Sequence, residues 1–311
     1  MPLFPSMTVG MSLFASPGCA QEPLTGAWER VVEHAAFSPR DTSEDLVFGG
    51  RMWLSNAFHN GNVLIRDLWN SRDGASWECV LEDTPYDGYS EMVVYHGRMW
   101  AIKGSVWTSA DGTQWERVAE QTPFGVRGYG ESVVHKDRIW QLGSGHDVWS
   151  TTDGVTWTCA IENAPFGKRY ATAVASFAGK LWLMGGSLPM ASDPPEKGYK
   201  DLTTFNDVWC SEDGATWTRL LEHAPWEPRQ WFIAKVYRDR LWIIGGYDNK
   251  NHKNFDDVWY TADGLTWQPF DGGPHWSPRH EPSIYVFDDS LWLVAGNMWP
   301  LVNDVWKLTL Q

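Results

Sequence analysis

The chain has 311 residues, 43% of them apolar and 21% charged, which is typical of a folded globular protein and excludes a disordered one. Its formal net charge of −14 at pH 7 argues against a nonspecific grip on nucleic acid or on an anionic membrane. No apolar run approaches the roughly 18 residues that a membrane-spanning helix needs, so we expect no membrane span.

The first 25 residues precede any repeated pattern, and we expect them to be a leader or a disordered tail. Residues 13–20 are apolar, end in small side chains and include Cys19, as at the end of a secretory or lipoprotein signal. The basic start of such signals is missing, because the first basic side chain is Arg30. A secreted or periplasmic location is therefore the expectation, and a cytoplasmic one stays open.

From residue 26 onward, tryptophans recur in three families that define a repeat. The first family lies in an apolar segment, the second closes an Asp-Val-Trp type triplet, and the third follows an Asp-Gly turn. The distance from the second to the third family is 8 residues in all five complete units, whereas the distance from the first to the second varies from 7 to 27. The members are Trp53, Trp100, Trp140, Trp182, Trp242 and Trp292; Trp69, Trp107, Trp149, Trp209, Trp259 and Trp306; and Trp28, Trp77, Trp115, Trp157, Trp217 and Trp267.

Each unit reads as four short strands, with an inner strand such as 171–177 followed by the three strands that carry the tryptophans. Asp-Gly between β-rich segments predicts tight hairpins. Six units of this kind predict an all-β fold, a six-bladed β-propeller over residues 26–311 as a single domain. The last unit lacks a fourth strand and residues 26–31 supply an unpaired one, so we expect the N-terminal strand to complete the last blade.

These motifs resemble the kelch repeat. The resemblance rests on Pro-Arg before the inner strand (Pro228-Arg229), Gly-Gly after the second strand (Gly245-Gly246) and Asp-Val-Trp in the third (Asp207-Val208-Trp209). Gly-Gly is replaced in the first two units. The resemblance implies a kelch propeller, and one enzymatic version of that fold is the bacterial N-acetylneuraminate epimerases, which interconvert anomers of a sugar acid without a cofactor.

Five arginines occupy one position, 13 residues before the first-family tryptophans: Arg40, Arg127, Arg169, Arg229 and Arg279, with Asp87 in the second unit. The loops concerned emerge on one face, so these side chains are expected to circle the mouth and bind an anionic substrate. The alternative is that they brace the blades by pairing with Glu44, Glu91 and Glu131. Blades 5 and 6 lack such a glutamate, so loss of Arg229 or Arg279 is expected to change stability little and to abolish binding.

Between the position of the arginines and that of the glutamates, each unit has variable side chains that predict the remaining ligand contacts. These are Tyr129, Tyr170, Trp231 and Glu281, with Trp299 from a variable loop. Aromatic faces beside polar groups suit a sugar ring. Glu91 or Glu131 is the candidate catalytic base, and His280 is a further catalytic candidate. Because adjacent strand residues point to opposite faces, His280 and Glu281 are not expected to act on one substrate atom.

Two functions follow from this reading. The first is binding of a small, anionic carbohydrate at the central mouth, with sugar-acid mutarotation or epimerisation as the enzymatic version. The second is a non-catalytic interaction scaffold that grips an acidic peptide. A deep pocket lined by Trp231 and Tyr129 would favour the first, and an open basic plate the second.

No metal or cofactor is expected. The nine histidines form neither H-x-H nor H-E-x-x-H, no phosphate-binding or dinucleotide motif occurs, and no Cys/Tyr constellation supports the chemistry of copper-radical oxidases. The expected partner is a small sugar or sugar acid, or an acidic peptide, bound by a monomer.

Overall fold

Short strands joined by tight turns build the chain, as the alternation of apolar runs and Asp-Gly pairs predicts. The computed structural model describes residues 23–59, 63–188 and 202–311, and these residues form no helix. In that part of the chain, nothing helical is therefore long and apolar enough to cross a membrane. The predicted leader, with Cys19, lies outside the described residues except for positions 23–25.

The strands form six four-stranded antiparallel sheets, which are the blades of a six-bladed β-propeller. Blade 1 contains β2 (Glu44–Phe48), β3 (Arg51–His59), β4 (Val63–Ser71) and β5 (Trp77–Leu81); blade 2 contains β6 (Glu91–Tyr95), β7 (Arg98–Ile102), β8 (Val106–Ser109) and β9 (Glu116–Ala119); blade 3 contains β10 (Glu131–Val134), β11 (Ile139–Leu142), β12 (Val148–Thr151) and β13 (Thr158–Ile161). Blade 4 contains β14 (Ala173–Phe177), β15 (Lys180–Met184), β16 (Val208–Ser211) and β17 (Trp217–Leu221); blade 5 contains β18 (Ile233–Tyr237), β19 (Arg240–Ile244), β22 (Val258–Thr261) and β23 (Trp267–Pro269); blade 6 contains β24 (Ser283–Phe287), β25 (Ser290–Asn297), β26 (Leu301–Leu310) and β1 (Gly26–Val32). A small hairpin, β20 (Tyr247–Asp248) and β21 (Lys253–Asn254), stands in the loop of blade 5.

The inner strands β2, β6, β10, β14, β18 and β24 contact one another in a closed cycle, so the ring has no gap. Closure depends on β1, which pairs antiparallel with β26, from Gly26 opposite Leu310 to Arg30 opposite Trp306. The six-bladed fold and the N-terminal closing strand are thus confirmed.

The first-family tryptophans pack between blades and set the spacing of the ring. The ring of Trp292 in blade 6 covers Gly74 in the Asp-Gly turn of blade 1, only 2.2 Å from where a Cβ of residue 74 would stand. Gly74 also has a φ of +71°. Both the nearby ring and the positive φ therefore require glycine at this position. The same contact joins Trp53 to Gly112, Trp100 to Gly154, Trp140 to Gly214 and Trp182 to Gly264.

The Asp-Gly turns hold their shape through the aspartate side chain. Asp73 Oδ1 accepts hydrogen bonds from the backbone N–H groups of Ala75 (2.9 Å) and Ser76 (2.7 Å). The indole of Trp77 then donates to the Gly74 carbonyl at 2.9 Å. The turn and the aromatic ring that follows it are therefore one unit, which explains the fixed spacing in sequence.

Trp28→Ala tests the closure of the ring. Trp28 on β1 is buried and meets Trp276 edge to face, with ring centroids 6.1 Å apart. Removing it should lower the free energy of unfolding by about 3–5 kcal/mol. The control is Glu29→Ala, a change of an exposed residue on the same strand, which should alter the free energy of unfolding by less than about 0.5 kcal/mol. Urea titration of both variants and the wild type measures these changes. Equal stability of the two variants would contradict the proposed role of β1.

Candidate functional site

A central cavity of about 380 Å³ is lined by segments that lead into or form the inner strands of all six blades. Its wall includes Tyr89, Tyr129, Trp231 and Glu281 near the beginnings of those strands. The strands themselves add Glu91, Glu131 and other residues deeper in the cavity. Of the predicted site residues, Glu91, Tyr129, Glu131, Trp231 and Glu281 therefore line one space, whereas the five arginines, Tyr170, His280 and Trp299 are not among its lining residues.

One residue in each blade, two positions before the inner strand, adopts a left-handed backbone conformation. The six are Thr42, Tyr89, Tyr129, Ala171, Trp231 and Glu281, with φ between +48° and +59°. This conformation is unfavourable for residues with a Cβ. It interrupts the extended backbone, so the inner strand begins only after it. The predicted inner strand 171–177 accordingly begins at Ala173.

Backbone hydrogen bonds link these residues around the mouth. The N–H of Ala171 donates to the Tyr129 carbonyl, that of Trp231 to Ala171, and that of Glu281 to Trp231, at 3.2, 3.2 and 2.9 Å. Because the backbone is fixed in this way, the mouth can carry a different side chain in each blade. Thr42 and Ala171 gave no signal in the sequence, because small residues at this position suggest no ligand contact.

Aromatic rings form an arc along the mouth. Tyr129 lies 5.6 Å from Tyr89, 4.7 Å from Tyr170 and 6.3 Å from Trp231, between ring centroids. Trp231 stacks on His280 at 5.0 Å and 25°. Trp299 lies at the end of the arc, 4.7 Å from His280, with 45% of its surface exposed. The aromatic side chains predicted as ligand contacts thus form one continuous surface.

Three glutamates lie at the starts of neighbouring inner strands, as predicted. Burial raises the pKa of Glu91 well above its ordinary value, and the charges of Glu44 and Glu131 add to the effect. Burial likewise raises the pKa of Glu44 well above its usual range and that of Glu131 to about 8. A raised pKa favours the protonated form of a carboxyl group, which can both donate and accept hydrogen bonds.

Sequence reasoning missed one ion pair inside the cavity. Lys235 Nζ lies 2.5 Å from Asp45 Oδ1, and Asp45 Oδ2 accepts a hydrogen bond from the Ile284 N–H at 2.8 Å. Charged residues in strands that are otherwise largely apolar were the available signal. The ammonium group of Lys235 is thereby engaged by a carboxylate of the protein itself.

The five arginines pair with aspartates, so the expectation of an uncompensated arginine ring is wrong. Each guanidinium contacts the aspartate of the Asp-Val-Trp type triplet in its own blade, at 2.5–2.8 Å: Arg40 with Asp67, Arg127 with Asp147, Arg169 with Asp207, Arg229 with Asp257 and Arg279 with Asp304. All except Arg127 are at most 4% exposed. The bracing alternative describes this geometry better, but the partners are not the glutamates, because the glutamates line the cavity.

Each of these aspartates also binds the second-family tryptophan. Asp257 Oδ2 accepts a hydrogen bond from Trp259 Nε1 at 2.8 Å while both its oxygens face Arg229. Burial would raise the pKa of Asp67, but the hydrogen bonds and charge of Arg40 hold that pKa below its ordinary value. In each of the five blades, arginine, aspartate and tryptophan therefore form one hydrogen-bonded unit.

Blade 2 lacks this unit as a whole. Asp87 replaces the arginine, and Ser105 replaces the aspartate. The serine hydroxyl still accepts a hydrogen bond from Trp107 Nε1 at 3.1 Å. Lys103 Nζ donates to the carbonyl of Gly88 at 2.6 Å and so holds the loop before β6. The arginine and the aspartate are absent from the same blade, which indicates that the role of each is to pair with the other.

His280 and Glu281 do not point to opposite faces, contrary to expectation. Glu281 has a φ of +48°, so the alternation of an extended strand does not apply to this pair. The two side chains converge with Asp41, and potential ligand atoms of the three residues lie within 4.8 Å of one another. An acidic and imidazole cluster therefore stands where blade 6 meets blade 1.

Arg229→Ala separates bracing from ligand binding. The substitution leaves Asp257 without its guanidinium partner; because the Asp257 side chain is 35% exposed and can be hydrated, we expect a loss of about 1–3 kcal/mol in the free energy of unfolding. Arg238→Ala, which removes an exposed ion pair to Asp289 in the same blade, should leave the transition close to that of the wild type. Comparable thermal midpoints for Arg229→Ala and the wild type would contradict the bracing role.

Stability should fall with rising pH because of the cavity acids. Folding raises the pKa of Glu131 from 4.5 to about 8, so the folded state binds the proton more tightly, and stability is lost as pH rises through this range. Glu131→Gln should lessen the loss between pH 5 and 8 and exceed the wild type at pH 8 by more than about 1 kcal/mol. Exposed Glu162, changed to Gln, is the control for urea titrations at both pH values. Parallel curves for all three proteins would contradict the assignment.

Comparison with known proteins supports the fold. No protein-family model and no curated sequence matches the chain. Among solved structures, the chain is similar to that of YjhT, with a TM-score of 0.68 over 90% of this chain and 99% of that one, at 12% sequence identity. At this identity, the likeness concerns the fold alone: a six-bladed β-propeller with four strands in each blade.

Proposed function

We propose that the central cavity binds a small carbohydrate that is uncharged or positively charged. The observation that carries this proposal is the arc of aromatic rings at the mouth above the carboxyl groups of Glu44, Glu91 and Glu131, which line the cavity. Aromatic faces stack on the apolar faces of a sugar ring, and protonated carboxyl groups donate to and accept from its hydroxyls. The cavity volume of about 380 Å³ lies in the range of about 300–1,000 Å³ usual for small-molecule sites.

The charge of the cavity argues for this class of sugar over a sugar acid. The expectation of an anionic ligand rested on five free arginines, and these are engaged by aspartates. Lys235 is paired with Asp45 within the cavity. An incoming carboxylate would therefore find no unpaired cation among the described lining residues to bind it.

The interaction-scaffold alternative is less well supported. A peptide-gripping mouth was expected to be an open basic plate, but the arginines of that plate are buried. The mouth opens instead into a recess lined by Tyr129 and Trp231. A recess of this size suits a small molecule better than a peptide loop.

The enzymatic version of the proposal is interconversion of the anomers of a reducing sugar without a cofactor. The resemblance of the repeat to kelch propellers, among them the N-acetylneuraminate epimerases, supports it. Ring opening needs one group that gives a proton and one that takes it. Because the pKa of Glu131 is about 8, this carboxyl group can exchange protons near neutral pH. Glu91, beside it in the ring of inner strands, is the second candidate.

Saturation-transfer NMR with neutral sugars, amino sugars and sugar acids tests the binding proposal. We expect contacts to neutral or amino sugars and weaker ones to sugar acids. Trp231→Ala should weaken binding at least about tenfold, a loss of about 1.4 kcal/mol, because its ring, although only 8% exposed, lines the cavity and packs against Tyr129. Leu265→Ala, in an exposed Asp-Gly turn that does not line the cavity, is the matched control. Uniform absence of contacts across the panel would overturn the proposal.

Anomer exchange measured by NMR on the same samples tests the enzymatic version. Catalysis would be supported if the wild type exchanges the anomers faster than buffer does, and if Glu131→Gln abolishes this acceleration while it still shows sugar contacts. Exchange at the uncatalysed rate together with clear sugar contacts would limit the protein to binding.

A further inference from the structure

Three side chains from opposite ends of the chain converge where blade 6 meets blade 1. Asp41 lies just before β2, and His280 and Glu281 lie just before β24. One potential ligand atom of each residue lies within 4.8 Å of the other two. Asp41 and His280 are buried, at 3% and 2% exposure, and Glu281 is partly buried and lines the cavity. An imidazole and two carboxyl groups thus face one small volume at the mouth.

The hydrogen bonds around His280 determine which ring nitrogen carries the hydrogen. Asn254 Nδ2 donates to the Asn297 carbonyl at 2.8 Å, which turns Asn254 Oδ1 toward His280 Nδ1, 2.7 Å away. An amide oxygen only accepts, so Nδ1 is the donor and Nε2 carries the lone pair of the neutral ring. Metal-bound imidazoles are held in the same manner, with the other nitrogen donating to a neighbouring oxygen.

The two carboxyl groups are held together without a cationic partner among the described residues. Thr42 Oγ1 lies 3.2 Å from Asp41 Oδ1 and 2.5 Å from Glu281 Oε2, but its single hydrogen serves one oxygen at a time. Asn297 Nδ2 donates to Asp41 Oδ2 at 2.7 Å. No described lysine or arginine forms an ion pair with either carboxyl group. Two close, partly dehydrated carboxyl groups of this kind need a proton or a metal ion between them.

We infer that Asp41, His280 and Glu281 form a binding site for a divalent first-row transition-metal ion. One imidazole and two carboxylates suit Mn²⁺, Fe²⁺, Co²⁺ or Zn²⁺, whereas Ca²⁺ and Mg²⁺ take mainly oxygen ligands. Three protein ligands leave at least one coordination position open. Since Glu281 lines the cavity, a hydroxyl group of a sugar bound there is a suitable further ligand.

This site differs from the expectation of no metal, because its ligands come from two distant segments and leave no spacing motif. The inference does not depend on the proposed sugar. Metal binding can be measured without a sugar, and sugar binding can be measured in chelator. Sugar contacts in chelator without any metal binding would remove this inference alone.

The test is to titrate chelator-treated protein with Mn²⁺, Co²⁺ and Zn²⁺. Binding is measured by calorimetry and, for Mn²⁺, by the EPR signal of the free ion. We expect one ion per chain. Asp41→Asn and His280→Gln should each weaken binding at least about tenfold, and Asn254→Leu about 10–100-fold through loss of the hydrogen bond that orients His280. Asp87→Asn, which changes an exposed carboxyl group before the inner strand of blade 2, is the matched control and should bind as the wild type does.

A spectroscopic measurement on the wild type keeps the test independent of how the variants fold. Electron spin-echo modulation with Cu²⁺ as probe should show the remote nitrogen of a bound imidazole, and Co²⁺ should give visible ligand-field bands. Failure of the wild type to bind any of the titrated ions stoichiometrically would overturn the inference. So would unchanged affinity in folded Asp41→Asn and His280→Gln, or a bound ion without an imidazole nitrogen.

Discussion

An arginine–aspartate pair holds the loop before the inner strand to the third strand in five of the six blades, and its guanidinium is buried in all of these except blade 3. In blade 5, Arg229 lies two residues before Trp231, so the pair fixes the short segment from which a mouth side chain projects. Separating the partners would strand a charge away from water, at a cost of several kcal/mol. The position of the mouth is therefore set by residues that do not themselves line it.

This division of roles explains why the mouth residues differ so much between blades. Threonine, tyrosine, alanine, tryptophan and glutamate all occupy the same left-handed position. Interblade hydrogen bonds fix the backbone there from blade 3 to blade 6, and an arginine–aspartate pair holds it in every blade except blade 2. The cavity beneath them is acidic, and burial rather than arginine controls its charge. Burial raises the pKa of Glu44, Glu91 and Glu131, which favours their protonated forms and reduces the repulsion between them.

The fold could be predicted from the sequence because the tryptophans repeat in register with the packing between blades. Trp292 and Gly74 lie in neighbouring blades and contact each other, and each occupies a position that recurs once in every unit. The arginine partners were misjudged because glutamates on the inner strands were nearer in sequence, although their side chains point into the cavity. Paired replacement by Asp87 and Ser105 in blade 2 was the signal for the true partners. Convergence of His280 and Glu281 was not predictable, since the alternation rule assumes an extended backbone.

The seam between the first and last blades has a consequence for biosynthesis. Asp41 is made early and Glu281 late, and β1 must wait for β26 before the ring can close. A nascent chain therefore carries only one side of the acidic and imidazole cluster until the segment before β24 has been made. Products truncated before the last blade would lack the complete cluster, so ligand capture there would report that both sides of the seam are present.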